Sequence, residues 1–215
     1  MRLLPFSIAC VALIFALTTQ AKAIALAGFG DSLTNGASYL DYLTADSIYN
    51  LGVGGETTSD GLPRLQTWLG DNEADFVIVL EGTNDVFRSG YDEGVTAGNL
   101  AAMIDAVTAD GAIPILLAPP PILPPSSADA NLRAGALAIR LAEVATARGI
   151  QFIDLYSVFL AQADPAALFY EGGIHPNAAG NQLVASQILL VSIPEPSTAL
   201  LLGWGLAWTA SRRRR

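Results

Sequence analysis

Five short apolar segments alternate along the chain with longer segments suited to helices, and this alternation restricts the possible folds more than any other feature. The predicted strands are residues 24–29, 47–51, 76–80, 113–118 and 151–155. The predicted helices are residues 37–45, 58–69, 95–110, 128–148 and 177–191, with Gly149 as the cap that ends the fourth. Because the apolar segments barely alternate with polar residues, we expect strands buried on both faces. The pattern predicts an α/β fold in three layers, with a five-stranded parallel sheet between helices.

The first 23 residues have the pattern of a secretory signal peptide. Met1-Arg2 precedes an apolar run over residues 3–17, and Ala21-Lys22-Ala23 follows it, which predicts cleavage after Ala23. The alternative is an uncleaved anchor, but about fifteen apolar residues fall short of the roughly twenty that span a bilayer. The only cysteine, Cys10, lies in this segment, so we expect the mature chain to carry no disulfide and no reactive thiol.

The carboxyl end has three features in a fixed order: Pro194-Glu195-Pro196, an apolar stretch over residues 198–211, and the arginines of residues 212–215. This order resembles the PEP-CTERM sorting signal, with a short transmembrane helix and an arginine tail. The resemblance implies that an exosortase in the inner membrane recognises and removes the tag from an exported protein. The alternative is an ordinary tail anchor with positive-inside flanks. We therefore predict one domain over residues 24–193, between a signal peptide (1–23) and a sorting signal (194–215).

The stretch from Asp31 to Glu195 is strongly acidic. All twenty acidic residues of the chain lie between Asp31 and Glu195, where five arginines accompany them, which leaves a net charge of −15. Such a surface opposes binding to nucleic acids and to anionic membranes.

Residues 118–127 form a proline-rich segment, "APPPILPPSS". Five prolines exclude a helix interior or a central strand, so we predict a stiff, extended loop after the fourth strand. Loops at that end of a parallel sheet border the usual ligand crevice, and the segment is either a wall of a substrate site or a spacer.

Polar stretches lie where predicted strands end, and one more precedes the last helix. They are "GFGDSLTNG", "NLGVGGETT", "LEGTNDV" and "GGIHPN", and the last contains His175, the only histidine of the chain. Taken singly, each is explained as a helix cap or a turn. In the flavodoxin-like strand order 2-1-3-4-5, however, the first three strands are neighbours, so Ser32, Gly55 and Asn84 are expected to converge.

Together these stretches resemble the four sequence blocks of the SGNH, or GDSL, ester hydrolases. The blocks are Gly30-Asp31-Ser32-Leu33, the glycine segment of residues 50–58, Gly82-Thr83-Asn84-Asp85, and His175-Pro176. The resemblance implies that Ser32 is the nucleophile, Gly55 and Asn84 are oxyanion donors, and His175 is the general base. Chemistry agrees with these roles, because a serine hydroxyl needs a base and the oxyanion formed on an ester needs hydrogen-bond donors.

One position departs from the family pattern. An aspartate usually stands three residues before the histidine, and Gly172 occupies that position here. Glu171 is one residue further away and is the favoured replacement, reaching the imidazole across two glycines. The alternatives are a Ser-His dyad without an acid, and a site that has lost its activity.

We therefore expect a secreted serine ester hydrolase that uses no cofactor and no metal. Small acyl esters and acetylated carbohydrates are the candidate substrates, and the exosortase is the expected protein partner. Acyl transfer to a sugar hydroxyl is a variant on the same site. The alternative from another class is a non-catalytic polysaccharide-matrix or surface binding protein that retains the hydrolase fold. The expected location is the periplasm, the cell surface or the extracellular matrix, with a membrane-associated precursor.

Overall fold

The structure is a computed structural model that describes residues 23–36 and 38–191. The predicted signal peptide, apart from its last residue, and the whole sorting signal lie outside these residues. Within them, no helix is long and apolar enough to cross a membrane.

The sheet has five parallel strands, β1 (Ala25–Gly30), β2 (Ser47–Gly52), β3 (Phe76–Leu80), β4 (Ile113–Ala118) and β5 (Gln151–Asp154). Their order is β2-β1-β3-β4-β5. The predicted α/β class, strand number and strand order are confirmed, and every predicted strand agrees with the observed bounds to within one residue at each end. The carboxyl ends of β2, β1 and β3 are adjacent, with Gly30 opposite Gly52 and Leu80.

The helices are α1 (Thr58–Asp71), α2 (Thr83–Val86), α3 (Glu93–Asp110), α4 (Ala128–Arg148), α5 (Leu155–Leu160) and α6 (Ala178–Val191). The predicted cap Gly149 adopts left-handed angles, with φ 64° and ψ 33°. The short helices α2 and α5 escaped prediction because one turn or two give no measurable periodicity.

The helix predicted over residues 37–45 is wrong in extent, because only a 3-10 turn forms, Tyr39–Tyr42. The backbone N–H of Asp46 donates to the carbonyl of Ile24 beside β1, so the chain returns to the sheet within four residues of this turn and leaves no room for a longer helix. A second 3-10 turn, Pro165–Leu168, precedes the histidine segment.

Two apolar layers cover the sheet. On one side Leu65 of α1, Leu100 of α3 and Leu137 of α4 pack against alternate strand residues such as Val77 and Val79. On the other side the first 3-10 turn, α5 and α6 contribute Tyr39, Phe159 and Val184, which join Ile78 and Ile115. This arrangement is the predicted three-layer sandwich.

The prediction that all five strands are buried on both faces is wrong for β2. Its residues Ser47 to Asn50 are exposed, whereas all of β3 is buried. The reason is position, because β2 is an edge strand and its apolar residues have a neighbouring strand on one side only.

Candidate active site

Ser32 lies in a tight turn directly after β1. The carbonyl of Asp31 accepts the backbone N–H groups of Thr34 and Asn35 at 3.2 and 3.1 Å, and its carboxylate Oδ1 accepts that of Leu33 at 2.9 Å. These bonds fix the backbone on both sides of Ser32. The side chain of Ser32 stays partly exposed while Asp31 and Leu33 are buried.

His175 lies in a short hairpin between the second 3-10 turn and α6. Phe169 and Pro176 form an antiparallel bridge, and the N–H of Tyr170 donates to the carbonyl of His175 at 2.9 Å. Asn177 fastens the hairpin by donating its side-chain amide to the carbonyls of Ala167 and Phe169. The ring is thereby placed with Nε2 at 3.0 Å from the Oγ of Ser32.

Gly55 and Asn84 follow β2 and β3, as the strand order predicts. Gly55 has a φ of 80°, the left-handed region that favours glycine. The side-chain amide of Asn84 donates to the carbonyl of Glu56 at 2.9 Å, which ties the two segments together. Arg64 in turn binds the carboxylate of Glu56 through both Nε and Nη2.

Two cavities meet at the Ser32–His175 contact. The larger, of about 380 Å³, is lined by Ser32, Gly55, Thr83, Asn84, Phe87, Arg88, Ile174 and His175. The smaller, of about 290 Å³, is lined by Ser32, Leu33, Tyr170, His175, Pro176 and Asn181. An ester whose carbonyl lies at Ser32 therefore has space on two sides, one for the acyl group and one for the alcohol.

The structure does not join Glu171 to His175. Glu171 is exposed, lies outside the lining of both cavities, and makes no hydrogen bond to the imidazole within the described part of the chain. Among the described residues, the side chain of His175 makes its hydrogen bond to Ser32.

The proline-rich segment packs against the histidine hairpin. The N–H of Leu123 donates to the carbonyl of Gly173 at 2.8 Å, and Ile122 is buried. None of residues 118–127 lines the two cavities that contain Ser32. The segment therefore supports the hairpin instead of forming a wall of these cavities.

Four buried carboxyl groups lie near the site, at Asp31, Glu56, Glu81 and Asp85, and that of Glu56 is paired with Arg64. Asp85 is well bonded, since its oxygens accept the N–H and the hydroxyl of Thr58 and the hydroxyl of Thr96. Burial raises the pKa of Asp31 to about 7, and burial together with the charge of Asp31 raises the pKa of Glu81 to about 11. Glu81 is consequently a neutral carboxylic acid near neutral pH.

Sequence reasoning assigned no role to Glu81, Arg64 or Arg88. Glu81 could have been noticed, because it directly follows the five apolar residues of a central strand. The pairing of Arg64 with Glu56 and the position of Arg88 at the cavity depend on loop conformations, and no local pattern marks either of them.

The three-layer fold, with a serine and a histidine in contact beyond the ends of parallel strands, defines an α/β protein with the layout of an ester hydrolase. The model of the GDSL-like lipase/acylhydrolase family matches residues 29–183, which is more than half of the chain. The chain belongs to this family and is an ester-hydrolysing enzyme.

Solved structures share the fold. The lipase/acylhydrolase from Enterococcus faecalis is 25% identical, with a TM-score of 0.67 over 77% of this chain and 93% of that one. The acetyl xylan esterase AlAXEase is 21% identical, with a TM-score of 0.69 over 79% and 100% of the two chains. A catalytic mutant of Axe2, an acetylxylan esterase from Geobacillus stearothermophilus, is 18% identical, with a TM-score of 0.65 over 76% and 91%. A comparison with curated protein sequences finds no match.

Proposed function

We propose that the protein is an exported serine esterase in which Ser32 is the nucleophile and His175 the general base. The observation that carries this proposal is the 3.0 Å contact between Ser32 Oγ and His175 Nε2. At that distance the imidazole takes the hydroxyl proton as the oxygen attacks the ester carbonyl. His175 then protonates the departing alcohol, and water releases the acyl group from Ser32 by the reverse sequence.

The oxyanion formed in each step needs donors on the cavity side of Ser32. We assign this role to the backbone N–H groups of Ser32 and Gly55 and to the side-chain amide of Asn84, which line the same cavity. One amide hydrogen of Asn84 is directed to the Glu56 carbonyl, and the second remains for the oxyanion. Loss of one such donor typically lowers turnover by roughly 10²–10³.

The proposed substrates are acetylated carbohydrates or small acyl esters. Two of the similar structures are acetylxylan esterases, and the two cavities at Ser32, of about 380 and 290 Å³, suit small acyl and alcohol groups. Acyl transfer to a sugar hydroxyl is the variant in which the alcohol replaces water in the second step.

Hydrolysis of p-nitrophenyl acetate, butyrate and octanoate by the purified full chain tests the proposal. We expect turnover that favours the acetate and disappears in Ser32→Ala and in His175→Ala. Circular dichroism shows whether each variant is folded. Full activity in a folded Ser32→Ala protein would refute the assignment.

The second candidate is a polysaccharide-matrix binding protein that retains the fold. The lack of a hydrogen bond between Glu171 and His175 favours it, because the imidazole then has no acid to orient it. An organophosphonate probe distinguishes the two, since it labels an activated Ser32 and leaves a non-catalytic serine unmodified.

The proposed location of the mature protein is the periplasm, the cell surface or the extracellular matrix, after removal of residues 1–23 and 194–215. The resemblance of the carboxyl end to the PEP-CTERM signal is the basis for naming an exosortase as partner and for a membrane-associated precursor. The mature mass from wild-type cells is compared with that from cells lacking the exosortase. Equal masses would argue against C-terminal processing.

A further inference from the structure

One basic side chain at the candidate site differs from all others in the described residues. These residues contain five arginines and no lysine. Four of the arginines form ion pairs, which are Arg64–Glu56, Arg133–Asp129, Arg140–Glu143 and Arg148–Asp105. Arg88 is the one arginine that forms no ion pair within the described part of the chain, although that part contains nineteen acidic residues.

Arg88 stands at the cavity that contains the nucleophile. It lines the 380 Å³ space together with Ser32, Asn84 and His175. Its backbone is held in place, because its N–H donates to the carbonyl of Asp85 and its own carbonyl accepts a bond from Arg133 at 3.0 Å. The anchored backbone therefore holds Arg88 at this cavity, and its guanidinium forms no ion pair with the described residues.

The acids near Arg88 are bonded to other groups. Arg88 also lines a neighbouring cavity of about 400 Å³, to which Asp60, Asp85 and Asp92 contribute. Asp60 accepts the hydroxyl of Thr57, Asp92 accepts the N–H of Val95, and Asp85 is bonded as described above. The lining of the cavity at Ser32 contains no carboxylate at all. Among the described residues that line the two cavities at Ser32, Arg88 is the only arginine or lysine, and none is an acid.

We propose that Arg88 is a specificity residue that binds a carboxylate on the ester substrate. The inference rests on the proposed function, since it assumes that esters react at Ser32. The chemical class it names is an ester with a carboxylate near the reacting carbonyl. One example is an acetylated uronic acid, because the sugar that bears the acetylated hydroxyl also carries a carboxylate.

The charge of the protein makes this recognition selective. An acidic body repels anionic substrates in general, so an anion gains contact only where a cation is presented. The guanidinium is suited to the task because its planar fork of donors matches the two oxygens of a carboxylate. A neutral ester gains nothing from such a group.

Two pairs of substrates, each an acid and its neutral methyl ester, test the proposal, with release of the phenol as the measure of hydrolysis at the shared ester bond. The first pair is 3-acetoxybenzoate and its methyl ester, with the carboxylate on the alcohol. The second is the phenyl half-ester of adipate and its methyl ester, with the carboxylate on the acyl chain. The ratio of kcat/KM for the acid over that for the methyl ester is measured for the full chain, Arg88→Gln, Arg88→Lys and the control Arg140→Gln.

We expect wild type to favour the acid of one pair by about tenfold, as for a partly exposed charge-assisted pair. Arg88→Gln should remove this preference and Arg88→Lys should retain part of it, because lysine keeps the charge without the fork. Arg140→Gln removes the same charge from an exposed face of α4 and should keep the wild-type ratio. The substrate pair whose ratio changes in Arg88→Gln shows whether the carboxylate is carried by the alcohol or by the acyl group.

The two proposals fail in different ways. If wild type hydrolyses p-nitrophenyl acetate through Ser32 but neither pair shows a preference that depends on Arg88, the carboxylate assignment is overturned and the esterase assignment stands. If no ester is turned over by folded wild type, the proposed function fails and the inference fails with it.

Discussion

Leu123 and Gly173 are packed backbone to backbone. The N–H of Leu123 donates to the carbonyl of Gly173 at 2.8 Å, and a β-carbon on Gly173 would lie 2.2 Å from the carbonyl oxygen of Leu123. This contact couples the proline-rich segment after β4 to the hairpin that places His175. The position of the imidazole therefore depends on a residue type that leaves no side chain between the two segments.

Gly173→Ala tests this coupling. The methyl group has no room, so the hairpin must shift and the Ser32–His175 distance must change; we expect kcat/KM to fall by about tenfold or more. Gly149→Ala is the matched control, because Gly149 has a similar φ of 64° and nothing within 4 Å of its β-carbon position. The control loses about 1 kcal/mol of stability and keeps its activity. Equal activity in both variants would show that the segment is only a spacer.

Glu171→Gln measures whether the site uses an acid. Glu171 is exposed and makes no hydrogen bond to His175 in the described structure, so we expect kcat/KM to fall by less than about threefold, as for a Ser-His dyad. The pH dependence of kcat/KM should keep its wild-type form. A loss of about 10³ or more would instead mean that the hairpin rearranges with substrate and brings Glu171 to Nδ1.

The Arg64–Glu56 pair supports the oxyanion side of the site. The Glu56 carboxylate is only 6% exposed, and its carbonyl holds the amide of Asn84 at 2.9 Å. Arg64→Met leaves that carboxylate without its cation, which should lower the free energy of unfolding by about 3 kcal/mol. We expect turnover to fall as well, because the segment that carries Gly55 loses its anchor.

Urea denaturation measures this loss, with Arg148→Met as the control. Arg148 makes a similar two-point contact with Asp105, but that carboxylate is 59% exposed, and such a pair contributes about 0.5 kcal/mol. The double variant Arg64→Met with Glu56→Gln should recover part of the stability, since position 56 then carries no unpaired buried charge. A double variant less stable than Arg64→Met would contradict this explanation.

Much of this arrangement is accessible from the sequence. Strands such as β3 are predicted correctly because central parallel strands are continuous apolar segments, and their order places Ser32 and Asn84 at one edge of the sheet. The contact of His175 with Ser32 spans 143 residues, and only the resemblance to a family linked the two.

Other features lie beyond such reasoning for physical reasons. The exposure of β2 follows from its place at the edge of the sheet, which the residues of the strand do not encode. The separation of Glu171 from His175, and the lack of an ion pair for Arg88 among the described residues, depend on loop conformation, which no periodic pattern determines. The burial of Glu81 could be suspected from its position after β3, but its place beside the carboxyl groups of Asp31 and Glu56 could not.

Glu81 should make the protein less stable as the pH rises. It is completely buried, neither of its carboxyl oxygens makes a well-formed hydrogen bond in the described structure, and burial together with the nearby carboxyl groups of Asp31 and Glu56 raises its pKa from 4.5 to about 11. Between these values the folded protein keeps the proton and the unfolded chain has lost it, so unfolding releases a proton and becomes more favourable as pH increases. Asp31, whose pKa is raised to about 7, acts in the same direction over the lower part of that range.

Glu81→Gln replaces the neutral acid by a neutral amide of similar shape. Its free energy of unfolding should exceed that of wild type by an amount that grows with pH, with a slope difference of up to about 1.4 kcal/mol per pH unit. Urea titrations from about pH 6 to about pH 9 measure the slope, and Glu73→Gln, at an exposed position, should leave it unchanged. Parallel curves for wild type and Glu81→Gln would mean that Glu81 is ionised in the folded protein and that an unseen partner stabilises its charge.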